Sequence, residues 1–150
     1  MHRILVLHGP NLNALGTREP DVYGTATLAQ VDAELHRLAP ELNCDVECRQ
    51  SQHEGVLIDA LYQARGHSHG VLLNPGGLTH TSVALRDAVR GAGLPVVEVH
   101  VSNPHAREPF RHRSYVSAAA LGLVQGFGVE SYTLALRALS GHLTRATARA

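Results

Sequence analysis

Arg18 and Tyr23 sit five positions apart in a polar stretch, and together they could make a base. A free tyrosine ionises near pH ~10, so a phenolate at neutral pH must be stabilised by about 4 kcal/mol. One arginine held close to the phenolic oxygen in a water-poor pocket can supply that, because Coulomb attraction grows as the effective dielectric falls. The pair also suits a surface arginine beside a lid tyrosine that only packs. A second set is Glu98-Val-His-Val-Ser-Asn103. On a strand Glu98 and His100 point the same way. A carboxylate beside an imidazole can hold its tautomer and favour its protonated form, which makes a general acid. Glu98 could equally serve a structural ion pair. Arg107, Arg111 and Arg113 follow. Any of them could grip a carboxylate through two parallel bonds, or simply be solvated. The third set is Asn74-Pro-Gly-Gly-Leu-Thr-His-Thr-Ser82, where adjacent glycines let backbone approach a ligand closely. His80 and Asp87, seven positions apart, read as sharing one polar helix face. A phosphate cradle is the rival, although the pattern is neither Walker A nor GxGxxG. A tight turn before a capped helix is the plain alternative.

Something must hold these sets together. An apolar run at residues 4–7, in a first strand expected over 3–7, empties into the polar segment ending at Gly24. A loop of about fifteen to eighteen residues is long for such a connection and reads as a lid. Leu28, Val31, Leu35 and Leu38 recur at helical spacing over residues 27–39, and Pro40 helps to end that helix. Strands are expected at 45–50, 70–74, 95–100 and 121–126. Helices are expected at 54–65, with Leu57, Ile58, Leu61 and Ala64 inward, and up to about residue 90, capped by Thr79 or Thr81. The last helix covers 129–143 with Tyr132, Ala135, Leu136, Leu139 and Leu143 on one side, and residues 145–150 read as a frayed tail.

Five β–α units in 150 residues imply one α/β domain with a parallel sheet and helices on both faces. The flavodoxin-like strand order 2-1-3-4-5 fits. In that order ligands bind where strands one and three diverge, beyond their carboxyl ends. The loops after strands one, three and four carry the three reactive sets.

Composition narrows the chemistry. Thirteen basic residues balance thirteen acidic ones, so bulk charge recruits neither nucleic acid nor an anionic membrane. All thirteen basic residues are Arg, and there is no Lys. Schiff-base catalysis and a P-loop lysine are therefore excluded. Cys44 and Cys48, four apart, match neither a CxxC pair nor a zinc knuckle and read as reduced, inert thiols of a cytoplasmic protein. Eleven histidines raise the question of a metal, but no HExxH, Cys/His quartet or facial triad is present. No metal and no cofactor is expected. No apolar run approaches eighteen residues, and no secretory leader is visible.

Four motifs carry a resemblance. Leu7-His-Gly-Pro-Asn-Leu-Asn-Ala-Leu-Gly-Thr-Arg-Glu-Pro-Asp-Val-Tyr-Gly24, Gln50-Ser-Gln-His-Glu-Gly55, Asn74-Pro-Gly-Gly-Leu-Thr-His-Thr-Ser-Val-Ala-Leu-Arg-Asp87 and Glu98-Val-His-Val-Ser-Asn103 together resemble type II 3-dehydroquinate dehydratase. The agreement runs in order from about Arg3 to Leu143. The resemblance implies a cofactor-free lyase converting 3-dehydroquinate to 3-dehydroshikimate by anti elimination through an enolate. It implies Tyr23 as the base, Arg18 keeping it anionic, and Asn11 positioning a water that stabilises the enolate. His100, partnered by Glu98, would protonate the departing hydroxyl. Asn74, His80, the backbone of Val101 and Ser102, and Arg111 would hold the substrate, with Arg113 the second candidate for its carboxylate. Asp87 would reach a neighbouring subunit's site in a dodecamer of four trimers. The chain departs from many members at Gln52, where Asn is common, at Val56, where Glu is frequent, and at Leu78, where an aromatic is common. The expected service is the shikimate route to aromatic amino acids. Quinate breakdown and a non-catalytic flavodoxin-like module holding a flavin or anion are the alternatives.

Overall fold

The computed structural model describes residues 1–150. Five strands, β1 (His2–His8), β2 (Cys44–Gln50), β3 (Gly70–Asn74), β4 (Val96–His100) and β5 (Gly122–Gln125), form one sheet in the order β2-β1-β3-β4-β5. Every neighbouring pair is parallel, as the alternation of short apolar runs and amphipathic stretches predicts. Five α-helices accompany them: α1 (Pro20–Tyr23), α2 (Leu28–Leu38), α3 (Glu54–Gln63), α4 (Val83–Ala92) and α5 (Glu130–Ala148). α5 continues past Leu143, so the segment expected to fray is helical as far as Ala148.

Strand alternation divides the interior in two. Ile4, Val6, Leu72, Val97 and Val99 face α2 and α5, where they meet Val31, Leu35, Leu38, Leu136 and Leu139. Leu5, Leu7, Val71, Leu73 and Val96 face the other way, onto Leu57 and Leu61 of α3 and Leu85 and Val89 of α4. Each fully buried leucine contributes about 1.5–3 kcal/mol by leaving water. The same parity sends the polar residues ending the strands to opposite faces. His8 and Asn74 continue the Ile4–Val6 and Leu72 side. Glu98 and His100 continue the Val96 side.

The helices begin where the local chemistry allows. Thr27 accepts the Gln30 N–H while the Gln30 side chain answers the Thr27 N–H, a reciprocal cap for α2. α4 is capped by Ser82, whose hydroxyl accepts the Leu85 N–H at 2.8 Å. The expected caps Thr79 and Thr81 are displaced because a 3₁₀ turn, Gly76–His80, intervenes between β3 and α4.

Candidate active site

Three loops meet above the carboxyl ends of β1, β3 and β4 and enclose a cavity of about 180 Å³. Two glycines let the first two loops touch. A Cβ on Gly9 would sit 2.7 Å from the Pro75 carbonyl, and one on Gly76, at φ +59°, would sit 2.9 Å from the Pro10 carbonyl oxygen. Backbone therefore packs on backbone here, and any side chain would force the loops apart. Gly76 thus serves contact between the loops, while Gly77 stays open on the cavity wall.

The β1 loop is not an open strap. A 3₁₀ turn at Leu12–Ala14 and the single helical turn α1 fold it over the cavity, with Leu12 and Leu15 buried beneath. Asn11 adopts a left-handed conformation at φ 70°, and its N–H donates to Gln52 Oε1 at 2.7 Å. Gln52 Nε2 donates in turn to Asn13 Oδ1 at 2.9 Å. Gln52, one of the departures from the common family pattern, therefore ties the segment after β2 to the β1 loop. Leu78, another departure, packs against the α3/α4 core and is not on the cavity wall. Val56 is exposed.

Of the residues singled out in sequence, Asn11, Arg18, Tyr23, Asn74, His80, His100, Val101, Ser102 and Arg111 all line the cavity. Arg113 does not; its guanidinium lies 4.8 Å from the Tyr115 ring centre. Arg111 sits in the wall with its Nε on Glu108 Oε2 at 2.6 Å, a contact that aims the guanidinium. Asp87 lies outside the cavity and is exposed. The expectation that His80 and Asp87 share a helix face is corrected: His80 belongs to the 3₁₀ turn and Asp87 to α4, so helical spacing does not relate them.

Tyr23 is flanked by two arginines. The Arg18 and Arg107 guanidinium carbons each stand 5.1 Å from its ring centre. Arg107 also donates to Ser102 Oγ at 3.2 Å, which fixes it to the end of β4. Sequence reasoning had placed Arg107 only among candidate carboxylate grips. No spacing rule links positions 23 and 107.

Glu98, fully buried beneath the cavity floor, accepts from His100 Nε2 at 2.5 Å, Ser117 Oγ at 2.8 Å, Thr79 Oγ1 at 2.9 Å and Ser114 Oγ at 3.0 Å. Ser114 is itself loaded with the N–H groups of Val116 and Ser117, so its own proton points inward. Burial opposes the Glu98 charge, but the hydrogen bond and charge of His100, followed by Ser117 and Thr79, outweigh it and hold the carboxyl below its ordinary range. With Nε2 committed to Glu98, His100 presents Nδ1 to the cavity. His80 stacks against it at 6.5 Å between ring centres and bonds the Arg113 carbonyl at 2.7 Å. Burial is the main reason that His80 resists protonation below its ordinary value. Thr79, Ser114 and Ser117 were not found as site residues in sequence, where Thr79 read as a cap.

Outside the cavity, His8, Asp32 and Cys48 form a cluster with potential metal-ligating atoms within 4.8 Å of one another. Both His8 nitrogens are engaged, with Asp32 Oδ1 at 2.7 Å and Tyr132 Oη at 2.9 Å. Burial first, then the Asp32 carboxylate, push the Cys48 thiol up to about 12. That favours a protonated thiol over a metal-binding thiolate. No helix is long and apolar enough to cross a membrane.

The family model "Dehydroquinase class II" matches residues 2–140. A 3-dehydroquinate dehydratase of Gloeobacter violaceus is 56% identical over 143 residues, covering 95% of this chain and 89% of that protein. The catabolic 3-dehydroquinase 2 of Aspergillus flavus is also 56% identical, over 137 residues and 91% of each chain. The crystal structure of type II dehydroquinase from Propionibacterium acnes superposes with a TM-score of 0.90 at 42% identity, covering 94% of this chain and 97% of that one. With its sheet order, its three-loop cavity and this likeness along nearly the whole sequence, the chain belongs to the class II dehydroquinase family.

Proposed function

We propose that this chain dehydrates 3-dehydroquinate to 3-dehydroshikimate, with Tyr23 as the base and His100 as the acid of an anti elimination. The observation that carries the proposal is the pairing within one cavity of a tyrosine between two guanidiniums and an imidazole seated on a buried carboxylate. Arg18 and Arg107 stand against the Tyr23 ring, and the Tyr23 oxygen takes a proton from the carbon next to the substrate ketone. The resulting enolate has no lysine with which to become an imine, so its oxygen charge must be met by hydrogen bonding. Asn11, at the cavity mouth, is suited to orient a water for that task. The enolate then collapses and expels the hydroxyl, which leaves as water with the proton held by His100. Glu98 holds that imidazole correctly turned through its bond to Nε2. Asn74, His80, the Val101–Ser102 backbone and Arg111 hold the substrate's hydroxyls and carboxylate.

The two relatives named above are equally identical and one is called catabolic, so the same machinery suits either metabolic direction. We assign this chain to the shikimate route, in the cytoplasm, where free thiols such as Cys44 and Cys48 remain reduced. Mixing the protein with 3-dehydroquinate should produce the absorbance of a conjugated enone. Tyr23→Phe should abolish that signal while substrate still binds, since the ring survives and only the oxygen is lost. Saturable binding without enone from the wild type would mark a non-catalytic module and overturn the proposal.

The exposed position of Asp87, on α4 and away from its own cavity, suits a contact with a neighbouring subunit. We place the chain in a dodecamer of four trimers in which Asp87 reaches the next site. Light scattering should report a particle far larger than a dimer, and Asp87→Ala should weaken both association and turnover. A fully active monomer would overturn the assembly.

A further inference from the structure

On the α2/α5 side of the sheet a hydrogen-bonded chain runs from the surface to the cavity wall. Asp32, part-exposed on α2, bonds His8 Nε2 at 2.7 Å; His8 Nδ1 meets Tyr132 Oη at 2.9 Å; Tyr132 Oη accepts from Asn74 Nδ2 at 2.9 Å. His8 and Tyr132 are fully buried, and Asn74 nearly so. We propose that Asp32, His8 and Tyr132 are positioning residues that fix the amide of Asn74, so that the side chain meets the substrate with an N–H donor of settled orientation. The proposal rests on the dehydratase reading, in which Asn74 holds substrate.

The direction of the chain follows from donor and acceptor inventory alone. An ionised Asp32 can only accept, so His8 must carry its proton on Nε2. At the other ring nitrogen, His8 Nδ1 is the only partner left to receive the proton of the buried Tyr132 hydroxyl, so Tyr132 donates to it. Burial holds the Tyr132 phenol well above its ordinary range, so that proton stays on the phenol. Having spent its proton on His8, Tyr132 can only accept from Asn74. The far end agrees: Asn74 Oδ1 accepts the Gly76 N–H at 3.1 Å.

A flipped Asn74 amide would set NH₂ against the Gly76 N–H. It would also turn its oxygen to a phenol whose proton is already committed. Relieving the second clash would require Tyr132 to rotate and His8 to move its proton to Nδ1, which leaves two acceptors face to face at Asp32. One carboxylate at the protein's edge therefore sets the orientation of an amide at the cavity. Such directional networks are strong when every member is satisfied and costly when one is not. Cys48, protonated beside Asp32, adds a donor and leaves this order intact.

The test is a mutant cycle with kcat and KM measured separately, together with imidazole ¹⁵N spectra. Tyr132→Phe should raise KM about tenfold with a smaller change in kcat, the scale of one to two lost buried hydrogen bonds. In an Asn74→Ala background the same substitution should change kcat/KM by less than about twofold, because coupled residues are not additive. Should buried Tyr132→Phe fail to fold, Asp32→Ala on the outer side of α2 takes its place, with KM rising about threefold. Asp32→Asn, whose side-chain oxygen still accepts from Nε2, should stay within about twofold of wild type. The ¹⁵N spectrum of His8 should show a protonated Nε2 and a bare Nδ1. Equal losses in both Asn74 backgrounds, an unchanged KM in folded Asp32→Ala, or the opposite His8 tautomer would each overturn the relay. Wild type that binds dehydroquinate without turnover, yet shows the expected tautomer, would instead sink the dehydratase reading and take the Asn74 role with it.

Discussion

On the α3/α4 side of the sheet Glu98 is fully buried, and at least three donors converge on it: His100, Ser117 and the Thr79–Ser114 pair. On the α2/α5 side the carboxylate of Asp32 is the most exposed member of its network, with 29% of its side chain accessible, and it meets a single buried imidazole. Both networks contain a carboxylate bonded to a histidine Nε2, and both end at the same cavity. They differ in what faces the substrate. Above Glu98 the histidine is the tip, so an imidazole ring, which can carry a proton, itself lines the cavity. Beyond Asp32 the histidine is an interior link, and the tip is the amide of Asn74, which can orient a ligand but cannot exchange a proton at useful rates. Strand parity decides which network each residue joins, because β4 sends Glu98 and His100 to one face while β1 and β3 send His8 and Asn74 to the other. Under the proposed function, identical residue types thus serve acid catalysis or positioning according to the order in which they are buried.

The largest effect expected from breaking the comparison is at His100. Under the proposed function His100→Ala removes the proton donor, and kcat should fall by about 10²–10⁴-fold. KM should move little, because hydroxide is a poor leaving group whether or not substrate is held well. Steady-state kinetics of the folded variant separates these cases. An unchanged kcat would assign the acid elsewhere. An effect confined to KM would make His100 resemble the positioning side.

Glu98→Gln is the next largest. Every neighbour of this carboxylate donates, so an amide NH₂ would face other donors. Folding stability should drop by about 3 kcal/mol. Chemical denaturation would measure it. Asp32→Asn, at the part-exposed end of the other network, should cost well under about 1 kcal/mol. Similar losses at both positions would erase the contrast between a nest built around charge and a chain built around direction.

The difference between the networks also explains how far the sequence could be followed. Glu98 and His100 were legible because two positions on a strand share a face, and the parallel order 2-1-3-4-5 followed from the alternating β and α segments. The loops after β1, β3 and β4 had to converge in that topology, so their polar residues could be grouped before any geometry was known. Contacts between remote positions could not. Arg107 over Tyr23, Ser114 and Ser117 on Glu98, and Tyr132 on both His8 and Asn74 span 84, 16, 19, 124 and 58 positions, and no local periodicity encodes them. Tyr132 looked like one more apolar residue in the α5 stripe. Its ring is indeed core, and only its hydroxyl reaches the polar network behind Asn74. Thr79 read as a helix cap for a similar reason: the 3₁₀ turn that carries it inward leaves no pattern distinct from a helix start.

Acid gives the smallest of these effects. His80 resists protonation in the folded state, chiefly through burial, relative to an ordinary value of 6.5. Above that pH the ring is neutral whether the chain is folded or not, and it contributes nothing to pH dependence. Below it the unfolded chain takes up a proton that the folded chain refuses, so stability must fall. Glu98 repeats the pattern lower down. Its folded carboxyl lies below the ordinary value of 4.5, so stability present above that pH is lost as the unfolded carboxyl protonates first and the folded one follows. Thermal unfolding followed from pH 8 to pH 3 should therefore decline in two stages. In His80→Asn the stage beginning near 6.5 should shrink, and the decline below 4.5 should persist. If the variant and wild type instead lose stability in parallel across both windows, the imidazole stacked on His100 is not what acid first disturbs. The upper stage would then belong to a group elsewhere in the fold.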